Sequence, residues 1–344
     1  VGKARESAGD RVSAVPIWLI VLIKSAIVLL VVITTFAYSM LFERKIMGWM
    51  QLRPGPNRVG PWGLLQPAAD AVKMIFKEDL TPDTADKMIY RLAPFISLIC
   101  AMGVFAIIPF SANADGTLWS VGNVNAGILF VFALSSIGIY GITLAGWSSG
   151  SKFPLLGSVR STAQMISYEL AMSMSVIGVL ILAGSTALGD IVNAQYRVWF
   201  IIPQIVGFVI YLITAIAETN RAPFDLVEAE TELVGGFHTE YSGLRFGLFF
   251  IAEYLNMITV SCLATLLFLG GWNGPFGLPS FGVLGLLWFI LKAGFFLFFY
   301  IWLRSTLPRF RYDRLMDFGW KVLLPVATLN LILTAVAVAV WPHA

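Results

Sequence analysis

The sequence predicts an all-α polytopic membrane protein with about eight transmembrane helices and an amphipathic surface helix in the first cytoplasmic loop. Of the 344 residues, 58% are hydrophobic and only 12% are charged. That charged share is about half of what a soluble domain carries, and the mean hydropathy of +0.81 agrees with it. The apolar residues also form runs long enough to cross ~30 Å of hydrocarbon. These runs must be helical, because the bilayer offers no water to backbone polar groups.

Eight such runs follow one another along a single integral membrane domain that spans residues 1–344. They cover roughly Ile17–Leu41, Leu92–Phe110, Ala126–Gly146, Ser161–Ala183, Trp199–Ala217, Phe246–Leu269, Phe281–Leu303 and Val322–Trp341. Glycines and prolines inside the runs, such as Pro203 and Gly207, indicate close helix packing or a local kink rather than a break.

The distribution of basic residues predicts the orientation of these helices. Of the 23 lysines and arginines, 17 fall in the odd-numbered loops and 4 on the opposite side. By the positive-inside rule, the odd-numbered loops lie in the cytoplasm or, alternatively, in the mitochondrial matrix. The basic N-terminus argues weakly for the reverse. We expect a multi-pass protein of the bacterial inner membrane, with the mitochondrial inner membrane as the alternative.

Several other classes of site find little support in the composition. The net charge of +3 is too small to indicate nucleic-acid binding. Cys100 and Cys262 both lie in apolar runs and are expected to be buried thiols. His238 and His343 are too few to build a metal or haem site on this chain alone. The first run is too long for the apolar core of a cleavable signal peptide.

The first cytoplasmic loop, residues 42–91, has the most distinctive sequence. Its RPGPNRVGP segment has three prolines and two glycines, which predicts a rigid, turn-rich loop. From Trp62 to Phe76, apolar residues recur at near-helical spacing, with Asp70 and Lys73 on the other side. An amphipathic helix at the membrane surface fits this pattern, whether it serves a site or only covers the end of the bundle.

The acidic loop, residues 217–245, opposes the basic bias of the other cytoplasmic loops. A run of acids usually forms a solvated face, but here the acids alternate with apolar residues, and Glu218 and Glu253 lie at or within apolar runs. Glu169 lies inside the fourth run. An acid within the bilayer costs roughly 2.5–3.5 kcal/mol and is a functional candidate by default. Several close acids would titrate as a coupled set, which suits proton conduction.

Four separate blocks of the chain resemble the family of the quinone-site membrane subunit, the H subunit, of NADH-quinone oxidoreductase, respiratory complex I; this family includes the mitochondrially encoded subunit 1. The first block is ERKIMGWMQLRPGPNRVGPWGLLQPAAD, within the first loop. The others are RSTAQMISYELAMS, AETNRAPFDLVEAETELVGGFHTEYSG and the basic stretch Arg304–Met316, which contains PRFRYD. The blocks occur in order, and the resemblance extends along nearly the whole chain from Leu41 to Lys321.

The resemblance implies that this is a non-redox subunit that forms the quinone-access chamber and couples quinone reduction to proton translocation. The quinone tail would enter between the first run, the amphipathic helix and the sixth run. The implied quinone-binding residues are Glu43, Arg44, Arg53, Asp70 and Lys73. The implied proton-coupling residues are Glu169, Glu218, Asp225, Glu228, Glu230, Glu232 and Glu253.

The same resemblance implies the partners and cofactors. Quinone would be the substrate, with ubiquinone as the expected type although the sequence does not identify it, and nothing would be bound covalently. Flavin and iron–sulfur clusters would lie on partner subunits, since this chain offers no ligand set for them. The partners would be the peripheral iron–sulfur and quinone-site subunits, the other membrane-arm subunits and the lipid bilayer, and no catalytic residue is assigned to this chain alone.

Two alternatives remain open from the sequence. A related membrane subunit of a group 4 membrane-bound hydrogenase shares the helix pattern and some acids, although the MQLRPGPN and GLLQP segments favour the quinone-linked enzyme. A stand-alone ion channel or carrier would also use acids within the membrane, but the large charged loops favour a docking platform. The role of Lys292, near the middle of the seventh run, stays open between pairing with an acid and contact with another subunit.

Overall fold

The computed structural model describes residues 16–225, 234–275, 278 and 280–340. Within these residues the chain is helical, and the only β-type pairing is an isolated bridge between Ala112 and Leu118. The predicted all-α fold is therefore confirmed.

Eleven α-helices follow one another in the described residues. They are α1 Ile17–Met50, α2 Gln66–Phe76, α3 Lys87–Val104, α4 Gly127–Ser148, α5 Lys152–Ala183, α6 Leu188–Ala194, α7 Ile205–Glu218, α8 Gly243–Phe268, α9 Gly282–Thr306, α10 Tyr312–Phe318 and α11 Leu324–Val340. A π-helical turn, Gly319–Leu323, joins α10 to α11, so that Tyr312–Val340 forms one apolar span.

Among the described residues, seven helices are long and apolar enough to cross a membrane, and α7 is a shorter apolar helix. These eight segments correspond to the eight predicted runs, although the boundaries move. The helix that corresponds to the fourth predicted run is α5. It begins at Lys152, nine residues before the predicted start at Ser161. Hydropathy detects only the apolar part of a helix, whereas α5 continues past it into more polar sequence.

The fifth predicted run, Trp199–Ala217, is helical only from Ile205. Pro203 precedes this start, and the residue before a proline avoids the α conformation, which helps to explain the late start. The 14 residues of α7 span only about 21 Å at 1.5 Å per residue. The buried Gln204 at its N-terminus binds α11, since its amide donates to Thr334 and accepts from Asn330 at 2.6 and 2.9 Å.

Helix α8 lies at the centre of the bundle, and α1 lies at its edge. Every residue of α8 from Met257 to Phe268 is buried, which is expected of a helix that is hydrophobic all round. By contrast, only 6% of the most apolar 18-residue stretch of α1 is buried inside the protein. Most side chains in that part of α1 therefore face the lipid or a partner, while α8 brings the residues of neighbouring helices together.

The predicted surface helix is present, but it is shorter than the Trp62–Phe76 pattern. Residues Pro61–Gly63 form a 3-10 turn in which Trp62 has a positive φ of 57°, and α2 follows from Gln66. No residue of α2 is fully buried. Its C-terminal end packs on the start of α8, where a Cβ on Gly247 would lie 2.9 Å from Met74 Sδ.

Candidate functional site

A buried cluster of charges joins four parts of the chain around Glu43. This carboxylate sits on α1 and is only 1% exposed. It accepts hydrogen bonds from Arg221 Nη1 at 2.9 Å, from Tyr254 Oη at 2.6 Å and from Arg304 Nη1. Buried charges need partners and hydrogen bonds of this kind, because burial otherwise favours their neutral forms.

Arg221 extends the buried cluster from Glu43 to Glu253. Its Nε atom lies 2.8 Å from Glu253 Oε1, and its guanidinium carbon lies 4.2 Å from the centre of the Tyr254 ring. Burial opposes the charged guanidinium, but Glu253 and Glu43 outweigh it and raise the pKa of Arg221. Arg221 therefore stays charged and bridges the two carboxylates. With Arg304, the cluster contains two acids and two arginines.

A pair of adjacent serines on α4 binds two acids from different helices. Ser135 donates a hydrogen bond to Glu218 at the end of α7, and Ser136 donates one to Glu169 on α5. Consecutive helical residues point in different directions, so the serine pair meets one acid on each side. The chain thereby holds Glu218 and Glu169 at neighbouring positions within the bundle.

A partly open cavity of about 80 Å³ is lined by residues of α3, α4, α5, α7 and α8 and by residues of the acidic loop. Glu218 and Glu253 both line it, as do Asn220 and His238. The remaining lining is mostly apolar, including Phe237, Phe246, Phe249 and Phe250. A cavity needs about 10–15 Å³ of this volume to hold one water molecule, so this cavity has room for several water molecules. The geometry thus places the acids of two elements on one small, largely apolar chamber.

The first loop carries a second group of charges, which lies closer to solvent. Arg44 Nη1 contacts Asp70 Oδ2 at 2.8 Å, and Lys73 Nζ lies 3.9 Å from Asp70 Oδ1. Gln66 also donates to Asp70, at 3.0 Å. The structure brings Arg44, Asp70 and Lys73 together here. Glu43 turns away into the buried cluster.

Arg53 lies apart from both groups of charges. Its side chain is exposed and donates to Gln51 at 2.8 Å. None of the five residues predicted to bind quinone lines the 80 Å³ cavity. The cavity is therefore associated with the predicted proton-coupling acids rather than with the predicted quinone wall.

The predicted proton-coupling acids fall into three groups. Glu169, Glu218 and Glu253 lie on the serine pair or the cavity, as described above. Asp225 is half-buried and interacts electrostatically with His238. The predicted Glu228, Glu230 and Glu232 lie outside the described residues.

Lys292 has partners that hydropathy does not reveal. Its ammonium donates to three backbone carbonyl oxygens, those of Leu269, Gly271 and Asn273, at 2.6, 3.0 and 2.6 Å. It also lies 4.5 Å from the centre of the Trp199 ring. The carbonyls at a helix C-terminus lack helical partners, so Lys292 caps the end of α8 and the loop that follows it. These contacts match neither pairing with an acid nor contact with another subunit, the two alternatives left open by the sequence.

Some residues of the site carry no signal in the sequence pattern. Ser135, Ser136 and Tyr254 are ordinary residues of apolar helices, and only their contacts reveal them. Arg304 and Arg221 contribute to the charge bias of the loops, but their pairing with Glu43 depends on how the helices pack. In the described residues no group of three or more His, Cys, Asp or Glu side chains fits a metal ion, and Cys100 and Cys262 are free and buried.

Comparison with known proteins gives consistent matches along nearly the whole chain. The family model described as NADH dehydrogenase matches residues 23–335. The H subunit of NADH-quinone oxidoreductase from Deinococcus deserti is 53% identical, over 96% of this chain and 89% of its own. One H subunit from Symbiobacterium thermophilum is 50% identical, over 94% of this chain and 99% of its own. The H subunit from Rhodospirillum centenum is 52% identical, over 88% and 89%.

Proposed function

The chain belongs to the NADH dehydrogenase family, as a relative of the H subunit of NADH-quinone oxidoreductase, and on that premise we propose that it frames the quinone-access chamber and couples quinone reduction to proton translocation. It is a multi-pass bacterial membrane protein and a membrane subunit of the complex. Electrons reach the quinone from partner subunits that carry flavin and iron–sulfur clusters.

The bridging position of Arg221 is the observation that carries this proposal. Arg221 contacts Glu43 on one side and Glu253 on the other. Glu43 is the neighbour in sequence of Arg44, which pairs with Asp70 in the first loop. Glu253 lines the cavity that Glu218 also lines. Charged residues thus form a series from the first loop, through Glu43 and Arg221, to Glu253 and the cavity inside the bundle.

The first loop supplies what a quinone requires. A quinone needs apolar walls for its isoprenoid tail and a few polar groups for its carbonyls. Val72, Ile75 and Phe76 of α2 are exposed apolar residues. The polar wall would come from Glu43, Arg44, Arg53, Asp70 and Lys73. Arginine suits such a wall because it stays charged and presents a planar set of donors.

The coupling step is electrostatic. Reduction of a quinone draws protons and changes the charge near the first loop. Because Arg221 is shared between Glu43 and Glu253, a change on one side alters its attraction for the other. The proton occupancy of Glu253, and through the cavity that of Glu218, then responds. Glu218 and Glu169 both meet the α4 serine pair, so the response can reach α5.

Three further acids of the acidic loop would belong to the quinone side of this route. They are Glu228, Glu230 and Glu232, which lie outside the described residues. Their place in the route follows from the resemblance of the acidic loop to that of the family.

The same proposal fixes the orientation and the partners. The first loop, residues 42–91, and the acidic loop, residues 217–245, would face the cytoplasm, where the peripheral iron–sulfur and quinone-site subunits dock. Other membrane-arm subunits would contact the lipid-facing helices and receive the coupled protons. Ubiquinone is the proposed substrate.

Replacement of Glu169 by glutamine tests the proton-coupling role. Glu169→Gln keeps the shape and can still accept the Ser136 hydrogen bond, but it cannot carry a proton. We expect the assembled complex to oxidise NADH normally with an artificial acceptor that bypasses the quinone. Quinone-linked turnover should fall by about a hundredfold, the lower end of what a proton-transferring group contributes.

Asp317→Asn is the matched control, because Asp317 is an exposed acid that pairs with Lys321 at 2.8 Å on the surface. Its quinone-linked turnover should equal that of the parent. Parent-level turnover and pumping in an assembled Glu169→Gln complex would contradict the proposed role of this acid.

A further inference from the structure

His238 is a half-buried titratable residue to which the proposed function assigns no role. It ends the 3-10 turn Gly236–His238 in the acidic loop and lines the same cavity as Glu218 and Glu253. Its ring packs edge-on against Phe237 and Phe246, with ring centres 5.0 and 5.2 Å apart. The acidic loop therefore contributes one imidazole to the wall of the cavity.

The surroundings of His238 favour the neutral imidazole. Burial lowers the pKa of His238 to about 4, and the charge of Asp225 opposes this only in part. A neutral imidazole has one nitrogen that donates and one that accepts. It can take up a proton at one nitrogen and release a proton from the other, which leaves its charge unchanged.

Four buried polar atoms on the cavity-lining residues have no hydrogen-bond partner among the residues that the structure describes. They are Ser97 Oγ, Glu218 Oε2, Asn220 Oδ1 and Thr259 Oγ1. They come from α3, α7, the segment after α7 and α8, so they surround the cavity rather than cluster at one point. Buried polar atoms of this kind are the usual ligands of internal water. The cavity is thus equipped to hold water between His238 and the acids.

We propose that His238 carries protons between Asp225 in the acidic loop and the cavity acids Glu218 and Glu253. In each transfer the imidazole accepts a proton from the Asp225 side and releases its other ring proton through cavity water to a carboxylate. Asp225 ends deprotonated, the receiving carboxylate ends protonated and the imidazole ends neutral in its other tautomer. This inference rests on the proposed function, because it names the entry point to the same acids.

The ring of His238 also fills space between aromatic neighbours, and two variants separate that role from proton transfer. His238→Phe preserves an aromatic ring against Phe237 and Phe246 but has no exchangeable proton. His238→Gln is polar and neutral but cannot pass a proton from one ring nitrogen to another. Tyr241→Phe is the matched structural control in the same acidic loop. It removes a buried hydroxyl that donates a hydrogen bond to the Tyr90 carbonyl at 3.1 Å.

The test measures NADH-driven proton uptake by the full complex in membrane vesicles, with assembly checked by NADH oxidation through an artificial acceptor. We expect both His238 variants to lower the uptake rate by about a hundredfold, while Tyr241→Phe stays at the parent rate. Should His238→Phe fail to assemble, His238→Gln decides. Parent-level uptake in an assembled His238 variant would overturn the inference.

Glu218→Gln, assayed in parallel, separates this inference from the proposed function. If Glu218→Gln loses proton uptake while the His238 variants retain it, the entry through His238 is wrong and the coupling acids stand. If all three retain parent-level uptake, the coupling role itself is wrong, and the inference falls with it.

Discussion

Glu43 and Arg44 are neighbours on the last turns of α1, yet they belong to two different electrostatic environments. Glu43 is 1% exposed and pairs with Arg221 and Arg304. Arg44 has a side chain that is 44% exposed, and it pairs with Asp70. The two residues point to different sides of the helix, one into the bundle and one toward the first loop.

This difference separates a charge pair that the fold depends on from one that it does not. Breaking a buried ion pair leaves an uncompensated charge and costs about 3–5 kcal/mol. A surface pair contributes roughly 0–1 kcal/mol. The buried cluster therefore has a structural role beside the coupling role proposed for it, whereas changes in the first-loop group should affect the proposed quinone binding with little effect on the fold.

The largest effect is expected from Arg221→Met. Methionine fills similar space but leaves Glu43 and Glu253 without the positive charge that they share. The free energy of unfolding should fall by about 3–5 kcal/mol, which is enough to reduce the amount of assembled complex strongly. The amount of complex in purified membranes and its thermal midpoint measure this loss.

Arg221→Lys is the companion variant, because it keeps the charge but loses the planar guanidinium that reaches both acids. It should assemble better than Arg221→Met and still show reduced quinone-linked turnover. Equal assembly by the parent and Arg221→Met would show that the cluster is not held together by this arginine.

The smallest effect on the fold is expected from Asp70→Asn. Its partner Arg44 is exposed, so the thermal midpoint should stay near that of the parent, since surface pairs contribute at most about 1 kcal/mol. If the first loop forms the quinone wall, the KM for quinone should rise while assembly is unchanged. Arg44→Gln, alone and combined with Asp70→Asn, completes a double-mutant cycle.

Non-additive KM changes in that cycle would locate the pair at the quinone site. An unchanged KM in all three variants would remove Arg44 and Asp70 from the proposed quinone wall. A large loss of assembly in Asp70→Asn would instead contradict the contrast between the two groups of charges.

The sequence predicts the architecture well, because each long apolar run has one stable solution in a bilayer. It also singles out Glu169, since an acid within an apolar run is costly and needs a reason. The start of α7 is less predictable. Pro203 can be seen within its run, but a proline is compatible with either a kink in a helix or the start of one. In the structure the helix starts just after Pro203, and Gln204 packs there against α11.

Contacts between distant residues are what the sequence pattern leaves out. Arg221 is one of two arginines in an acidic stretch. The sequence does not show whether such an arginine is a solvated counter-charge or is buried between two carboxylates. The partners of Lys292 are backbone carbonyls, which no side-chain pattern encodes. Ser135 and Ser136 acquire meaning only when α5 and α7 bring acids to them.

The ratio of protons pumped to electrons transferred in Glu218→Gln tests the central claim most directly. The carboxylate of Glu218 accepts from Ser135 and lines the cavity that Glu253 and His238 also line, so it stands where the proposed routes meet. In proteoliposomes that contain the full complex, NADH oxidation by quinone should be accompanied by a lower proton-to-electron ratio than in the parent, or should slow together with pumping. An assembled Glu218→Gln complex with the parent ratio at the parent rate would contradict the account.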